Sequence, residues 1–199
     1  MTERIQNVHP KEYDGIKYRS TLEADTAKVL SALGISFLYE HRKIILLEGF
    51  NCPYEDKKVR AITYTPDFEI QLPHGNIMLE CKGFETPEWK IKRKYLYKYL
   101  MENEPNTKFY MVYSCKRDLV KALDNYWYDL GYCIEVINKK GKSFIFSSIK
   151  EAMKSLSLEN KPFHRILNCL AGSIPQAFKY QWRLKKVDNI ELYNSLNYL

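Results

Sequence analysis

The sequence predicts an α/β protein in which a mixed sheet is flanked by helices and followed by a smaller α+β tail. Three observations carry that expectation. A capping box, Ser20-Thr21-Leu22-Glu23, opens a segment whose apolar residues recur at helical spacing. Strand-like and helix-like runs then succeed one another through residue 137, the order that builds a sheet with helices on its faces. Beyond residue 137 the pattern becomes a hairpin, two short helices and one strongly alternating strand.

Along the chain, residues 1–17 are polar and irregular and read as a loose arm. The capped helix places Leu22, Thr26, Val29, Leu30 and Leu33 at helical spacing and stops at Gly34. Ile35 to Tyr39 and Lys43 to Leu47 read as strands. Glu48 to Ala61, with Gly49, Pro53 and a charged cluster, reads as a loop or an extended bridge. Thr63 to Leu72 and Asn76 to Lys82 are strands joined through the turn sequence Pro73-His74-Gly75. A basic helix follows over Glu88 to Asn103. After it come a strand over Lys108 to Ser114, a helix over Arg117 to Leu130 ended by Gly131, and a strand over Tyr132 to Ile137.

The tail begins with the turn Asn138-Lys139-Lys140-Gly141 leading into Ser143 to Phe146. Ser148-Ile149-Lys150-Glu151 is a second capping box, heading a helix with Ile149, Ala152, Met153 and Leu156 on one face. In the next helix Phe163, Ile166, Leu167 and Leu170 point inward, with Gly172 as its C-cap. Ala177 to Lys186 alternates, with Phe178, Tyr180, Trp182 and Leu184 on one face and Lys179, Gln181, Arg183 and Lys185 on the other. Two domains are expected, residues 1–136 and 137–199.

A chain of 199 residues can bury one good core, or a core and a small appendage. Its 45% apolar and 28% charged content is that of an ordered globular chain and excludes a disordered one. No run approaches the ~20 apolar residues that a membrane span needs, so no membrane partner is expected. Met1-Thr2-Glu3-Arg4-Ile5-Gln6 lacks the apolar core of a signal peptide, and a cytoplasmic location is expected. Five cysteines (Cys52, Cys81, Cys115, Cys133, Cys169), odd in number and never in Cys-x-x-Cys, argue against a disulfide framework and a zinc site. The net charge of +7 favours polyanionic partners.

The chemistry concentrates in Thr65-Pro66-Asp67-Phe68 and Leu79-Glu80-Cys81-Lys82-Gly83. On a strand, Met78, Glu80 and Lys82 share one face, and Ile77, Leu79 and Cys81 share the other, which should meet a core. Glu80 and Lys82 then project together beside Asp67 on the neighbouring hairpin strand. Two carboxylates so close repel unless a cation lies between them. Magnesium suits such oxygen ligands, keeps several waters, and can acidify the water that attacks a phosphodiester. Lys82 would orient that water or stabilise charge developing on the phosphorane. The bland alternative is a surface hairpin carrying an ion pair. Glu23 likewise has a local reading, in which it reaches back to the backbone N–H of Ser20.

Four linked motifs carry a resemblance. Arg19-Ser20-x-Leu22-Glu23, Gly34-Ile35-x-Phe37-x-Tyr39-Glu40, Tyr64-Thr65-Pro66-Asp67-Phe68 and Glu80-x-Lys82-Gly83 resemble, in matching order, the phage endonuclease I family. These are Holliday junction-resolving enzymes of the PD-(D/E)XK nuclease superfamily, and the likeness covers roughly residues 17–136. It implies a restriction-endonuclease-like fold in which Asp67 and Glu80 bind Mg²⁺, with Mn²⁺ able to substitute. It also implies that Lys82 is the catalytic lysine, that Glu23 is a further active-site carboxylate, and that Cys81 offers the metal only its backbone carbonyl. The stretch between Glu40 and Tyr64 is longer than that family's. There it bridges two subunits that exchange segments, so an intertwined homodimer is plausible. The implied setting is the cytoplasm of a phage-infected cell.

Contacts to double-stranded or branched DNA are expected from Arg19 and from the basic helix, through Lys92, Arg93 and Lys94. The alternative for that helix is a solvated face over a core. Phe146-Ser147-Ser148-Ile149-Lys150-Glu151-Ala152, with Phe178-Lys179-Tyr180-Gln181-Trp182-Arg183, resembles the helix-turn-helix modules appended to homing endonucleases. That likeness implies a second helix presenting Lys161, His164, Arg165 and Asn168 to a major groove, with Lys179 and Arg183 gripping phosphates. A plain stabilising subdomain is the alternative. The functional expectation is a Mg²⁺-dependent endonuclease of the homing type. The alternatives are a structure-selective junction resolvase, or a non-catalytic DNA-binding protein that keeps the fold.

Overall fold

A computed structural model describes residues 9–187, and the chain divides into two compact units, Met1–Cys115 and Lys116–Leu199. The part of the expected N-terminal arm over residues 1–8 lies outside the described residues. The rest of that arm is not irregular. β1 (Lys11–Tyr13) and β2 (Ile16–Tyr18) form an antiparallel hairpin around Asp14 and Gly15, which have φ 50° and 73°. Asp-Gly is the pair that such a two-residue turn favours.

α1 (Thr21–Ala32) starts where the capping box places it, with Ser20 Oγ accepting from the Glu23 N–H at 3.2 Å. The first predicted strand contracts to β3 (Leu38–Tyr39). β4 (Ile44–Leu47) pairs antiparallel with β5 (Ile62–Tyr64), and a bridge between Phe50 and Val59 continues that pairing. The 48–61 stretch therefore folds back on itself within the chain. The single strand expected over Thr63 to Leu72 is two strands in two sheets: β5, then β6 (Phe68–Leu72). Thr65, Pro66 and Asp67 make the break, and Pro66 has no N–H to give to a ladder.

β7 (Gly75–Cys81), α2 (Pro87–Asn103) and β8 (Lys108–Val112) complete the first unit. Its main sheet has the order β3-β6-β7-β8, antiparallel except for the β7–β8 pair. Parallel neighbours need a long crossover, and α2 supplies it. α2 buries Trp89, Leu96 and Leu100 in one cluster with Met78 of the main sheet and with Ile44 and Tyr64 of the β4–β5 pair. On the other face of the main sheet Phe68 lies among the rings of Tyr18, Phe37 and Tyr39. Both faces of β7 are thus covered, not only the one bearing Ile77, Leu79 and Cys81.

In the second unit the helix expected to reach Leu130 ends early: α3 is Cys115–Ala122, and turns occupy 123–131. Within those turns the buried Asp124 Oδ1 accepts from the Ile149 N–H at 2.9 Å, which ties the segment to the start of the helix at 149–155. β9 (Tyr132–Ile137), β10 (Ser143–Phe146), α4 (Ile149–Ser155), α5 (Phe163–Leu170) and β11 (Gln181–Lys186) follow. β9 is the central strand of an antiparallel sheet ordered β10-β9-β11. The expected division at 136–137 cuts through this strand, so the second unit begins at Lys116 instead. The helix pair is α4 and α5, with Ile166, Leu167 and Cys169 buried, while Phe163 and Leu170 are only half-buried. The alternation predicted from Ala177 holds only from Tyr180 onward, because Phe178 and Lys179 turn at φ 55° and 72°.

One ion network pins the first unit. Glu69 is buried on β6, and the Arg42 guanidinium meets it through Nε at 2.8 Å and Nη2 at 3.1 Å. The same guanidinium grips Glu104, at the end of α2, through Nη1 at 2.6 Å and Nη2 at 2.9 Å. Removing the arginine leaves the buried Glu69 with only the Asn76 amide and the His41 ring, 3.6 Å away, beside it. Arg42→Ala is therefore expected to destabilise the protein by about 3 kcal/mol in urea denaturation. A loss no larger than that of an ordinary surface substitution contradicts this role.

Candidate active site

Asp67 lies one residue before β6, at the end of the Thr65-Pro66-Asp67 break. Phe68 sits opposite Leu79, so one further step of the antiparallel register sets Asp67 opposite Glu80. The Glu80 charge acts on the Asp67 carboxyl, so the two acids are neighbours. Asp67 Oδ2 accepts from the Cys81 N–H at 2.7 Å, and its carbonyl accepts from the Glu40 N–H at 3.1 Å. The residue is held from both sides. Its side chain rests on the backbone between Glu80 and Lys82.

Glu80 is 3% exposed and both of its oxygens are engaged. Lys82 Nζ lies 2.6 Å from Oε1, and the Tyr64 hydroxyl donates to Oε2 at 2.6 Å. Lys82 follows the last residue of β7, where its N–H donates to the Val112 carbonyl at 3.0 Å. Its ammonium also stands 4.9 Å from the centre of the Trp89 ring, a cation–π distance. The lysine is thereby fixed between a carboxylate and an aromatic face.

Glu23 keeps its capping role. Its Oε1 accepts from the Ser20 hydroxyl at 2.7 Å, and Oε2 accepts from the Arg19 N–H at 3.1 Å and the Tyr39 hydroxyl at 2.6 Å. The acid reaches one residue further back than Ser20, to Arg19. No hydrogen bond joins it to Asp67, Glu80 or Lys82 among the described residues, yet its charge is close enough to act on all three.

Burial, and then the neighbouring charge of Glu80, push the Asp67 carboxyl up to about 8. Burial also raises Glu80, against the pull of Lys82 and Tyr64. Burial lowers Lys82, but the fields of Glu80, Asp67 and Glu23 outweigh it and leave the ammonium more firmly protonated. Burial raises Tyr64 and Tyr39, so both remain protonated donors. The Cys81 thiol is raised by burial as well, and its Sγ lies 3.5 Å from Thr26 Oγ1. It is therefore a neutral thiol facing α1.

The residues expected to contact DNA are placed as follows. Arg19 is exposed and ion-paired with Glu40 at 2.8 Å. On α2, Lys94 is exposed, Lys92 is half-buried, and Arg93 is engaged with Glu85 at 2.9 Å, which reduces its reach outward. In the second unit Lys161, His164, Arg165, Lys179 and Arg183 are exposed, and Asn168 is half-buried. His74 is in the β6–β7 turn, and His41 Nε2 lies 3.6 Å from Glu69. The partners that sequence reasoning missed are Tyr39, Tyr64 and Trp89. Both tyrosines stand inside the motifs that carry Glu40 and Asp67, which is the only signal they give.

Among the described residues, no three His, Cys, Asp or Glu side chains gather into a group that could hold a metal ion. Also among the described residues, no helix is long and apolar enough to cross a membrane. No family model matches this chain, and no curated protein matches it.

The raised carboxyl has a direct consequence for stability. In the folded metal-free protein Asp67 holds a proton that the unfolded chain releases near its ordinary value of 3.8. Its contribution is fully present below that value and is lost as pH rises through about 8. The thermal midpoint of the metal-free protein is therefore expected to fall across this window, and Asp67→Asn to flatten the fall. A slope untouched by the substitution would assign it to other groups.

Proposed function

We propose that the protein is a Mg²⁺-dependent DNA endonuclease of the PD-(D/E)XK type, acting as a homing-type enzyme. The observation that carries this reading is the Asp67–Cys81 hydrogen bond, which holds one carboxylate against the backbone between Glu80 and Lys82. The resemblance itself rests on the four motifs. The mixed sheet, with α1 before it and α2 as the crossover into a parallel strand, agrees with the flanked sheet that the resemblance implies.

The donor set fits magnesium. Two carboxylates at one end of a sheet are oxygen ligands, and one or two are what Mg²⁺ commonly takes from a protein while it keeps its waters. Burial first, and then the Glu80 charge, raise Asp67, and a cation beside both carboxylates would offset each of these costs. Asp67, Glu80 and the Cys81 carbonyl would hold the ion, and Mn²⁺ would accept the same donors. Bound there, the metal would polarise the scissile phosphate and lower the pKa of the attacking water. The Cys81 thiol takes no part, being protonated and turned to Thr26.

The chain supplies the rest. Lys82, held by Glu80 and Trp89, is placed to stabilise negative charge developing on the phosphorane. Tyr64 keeps Glu80 oriented, and Glu23 adds to the negative field from α1. Lys92 and Lys94 would lie along the DNA backbone, with Arg19 near the site. In the second unit α5 would present Lys161, His164 and Arg165 to a duplex, with Lys179 and Arg183 on phosphates. A non-catalytic DNA-binding protein has no need of Asp67, Glu80 and Lys82 together.

One observation favours the second reading, a structure-selective junction resolvase. The 48–61 stretch, which bridges two subunits in that family, pairs within this chain, so a second copy would meet it by surface contact and not by exchange. It carries exposed Phe50 and Tyr54, the latter 92% exposed, as apolar contacts for a second copy.

With Mg²⁺ supplied, the protein should nick or cut DNA, and a linear duplex compared with a four-way junction separates the two readings. Asp67→Asn and Glu80→Gln should each lower cleavage by at least about a hundredfold while affinity in EDTA stays within about threefold. Cleavage that persists in either variant removes the site assignment.

A further inference from the structure

Three separate segments of the second unit meet around a groove of about 550 Å³. The β9–β10 turn supplies Lys139 and Lys140, and the link between α4 and α5 supplies Lys161 beside Leu158. The turn before β11 supplies Phe178, Lys179 and Tyr180. Four lysines thus line one concavity, with no carboxylate among the lining residues. None of the four has an ion-pair partner among the described residues. Cations gathered without counter-charge make a field for a polyanion.

The turn beside them is strained. Ala177 and Tyr180 exchange both backbone hydrogen bonds, at 2.9 and 3.1 Å, around Phe178 and Lys179 at φ 55° and 72°. Asn and Gly occupy such a turn cheaply, whereas Phe and Lys do not. Strain kept where glycine would relieve it marks side chains held in place for a purpose. The turn is also anchored, by the Trp182 Nε1–H donating to the Ala177 carbonyl at 3.1 Å. The Arg165 guanidinium stands 5.7 Å from the Phe178 ring, so a further cation borders the aromatic wall.

We propose that this groove binds a nucleoside phosphate, with the phosphate on the lysines and the base against Phe178 and Tyr180. The volume lies within the ~300–1,000 Å³ usual for small-molecule sites. A base stacks on an aromatic ring only when it is free of its own stack, so a paired duplex does not satisfy the groove. Two sources share the chemistry: a free nucleotide, and an unstacked nucleotide within a DNA strand. The inference goes beyond the endonuclease reading and does not rest on it. The groove needs neither Asp67, Glu80 nor a metal.

The test uses the full chain in EDTA and fluorescence anisotropy of two labelled single strands, one of thymidines and one abasic of equal length. The thymidine strand should bind about tenfold tighter, the size of one base–aromatic stack. Phe178→Gly should abolish that preference without lowering the thermal midpoint, because it relieves the turn, and Phe178→Tyr should keep the preference. Replacing Lys140 and Lys161 with Ala should weaken both strands and reduce the salt dependence. Displacement by thymidine monophosphate identifies the free nucleotide as sufficient, and binding of the strand alone identifies the strand. Equal affinity for the two strands, or a preference that survives Phe178→Gly, overturns the proposal. Lost DNA cleavage with an intact thymidine preference would count against the endonuclease reading alone.

Discussion

The site depends on one hydrogen bond, from the Cys81 N–H to the Asp67 carboxylate. It joins the point where the chain leaves one small sheet to the last residue of an interior strand of another. Pro66 interrupts the ladder just before it, which lets Asp67 turn onto the β7 backbone instead of continuing the β4–β5 pairing. Because the donor, the Cys81 N–H, sits between Glu80 and Lys82, the same bond brings two buried carboxyl groups and an ammonium to one end of the sheet. Burial raises both carboxyls, and the charge of Glu80 adds to the rise at Asp67. Within the cluster the one positive group is the Lys82 ammonium, 2.6 Å from Glu80.

The surroundings hold the cluster rather than relax it. Tyr64 and Lys82 engage both oxygens of Glu80, and Trp89 reaches from α2 to cover the lysine. Glu23 is tied to Ser20, Arg19 and Tyr39, so its charge approaches the site along a capped helix that cannot swing away. At the other end of α2, Arg42 binds Glu69 and Glu104 together. The crossover helix is thus fastened at both ends, by Trp89 near its start and Glu104 at its close.

What the sequence made legible was mostly local. Ser20 and Ser148 cap their helices where they were read, three residues before Glu23 and Glu151, while those acids reach back one residue further, to Arg19 and Ser147. The β6–β7 hairpin and the strands β7, β8 and β9 follow from alternation and from their turns. Partners distant in sequence were not legible. Tyr64 and Tyr39 looked like strand residues, and nothing nearby couples Arg42 to an acid 62 positions away. The buried bond from the Ile149 N–H to Asp124, in the turns after α3, is a contact that no helical period reveals. The domain division moved because β9 pairs forward, with β10 and β11, and such pairing is long-range by nature.

Anomalous diffraction from crystals soaked in Mn²⁺ tests the central claim most directly. A peak bounded by the carboxylates of Asp67 and Glu80 and the Cys81 carbonyl is the result this account requires. Manganese bound elsewhere on the protein, with those two carboxylates left bare, would contradict it.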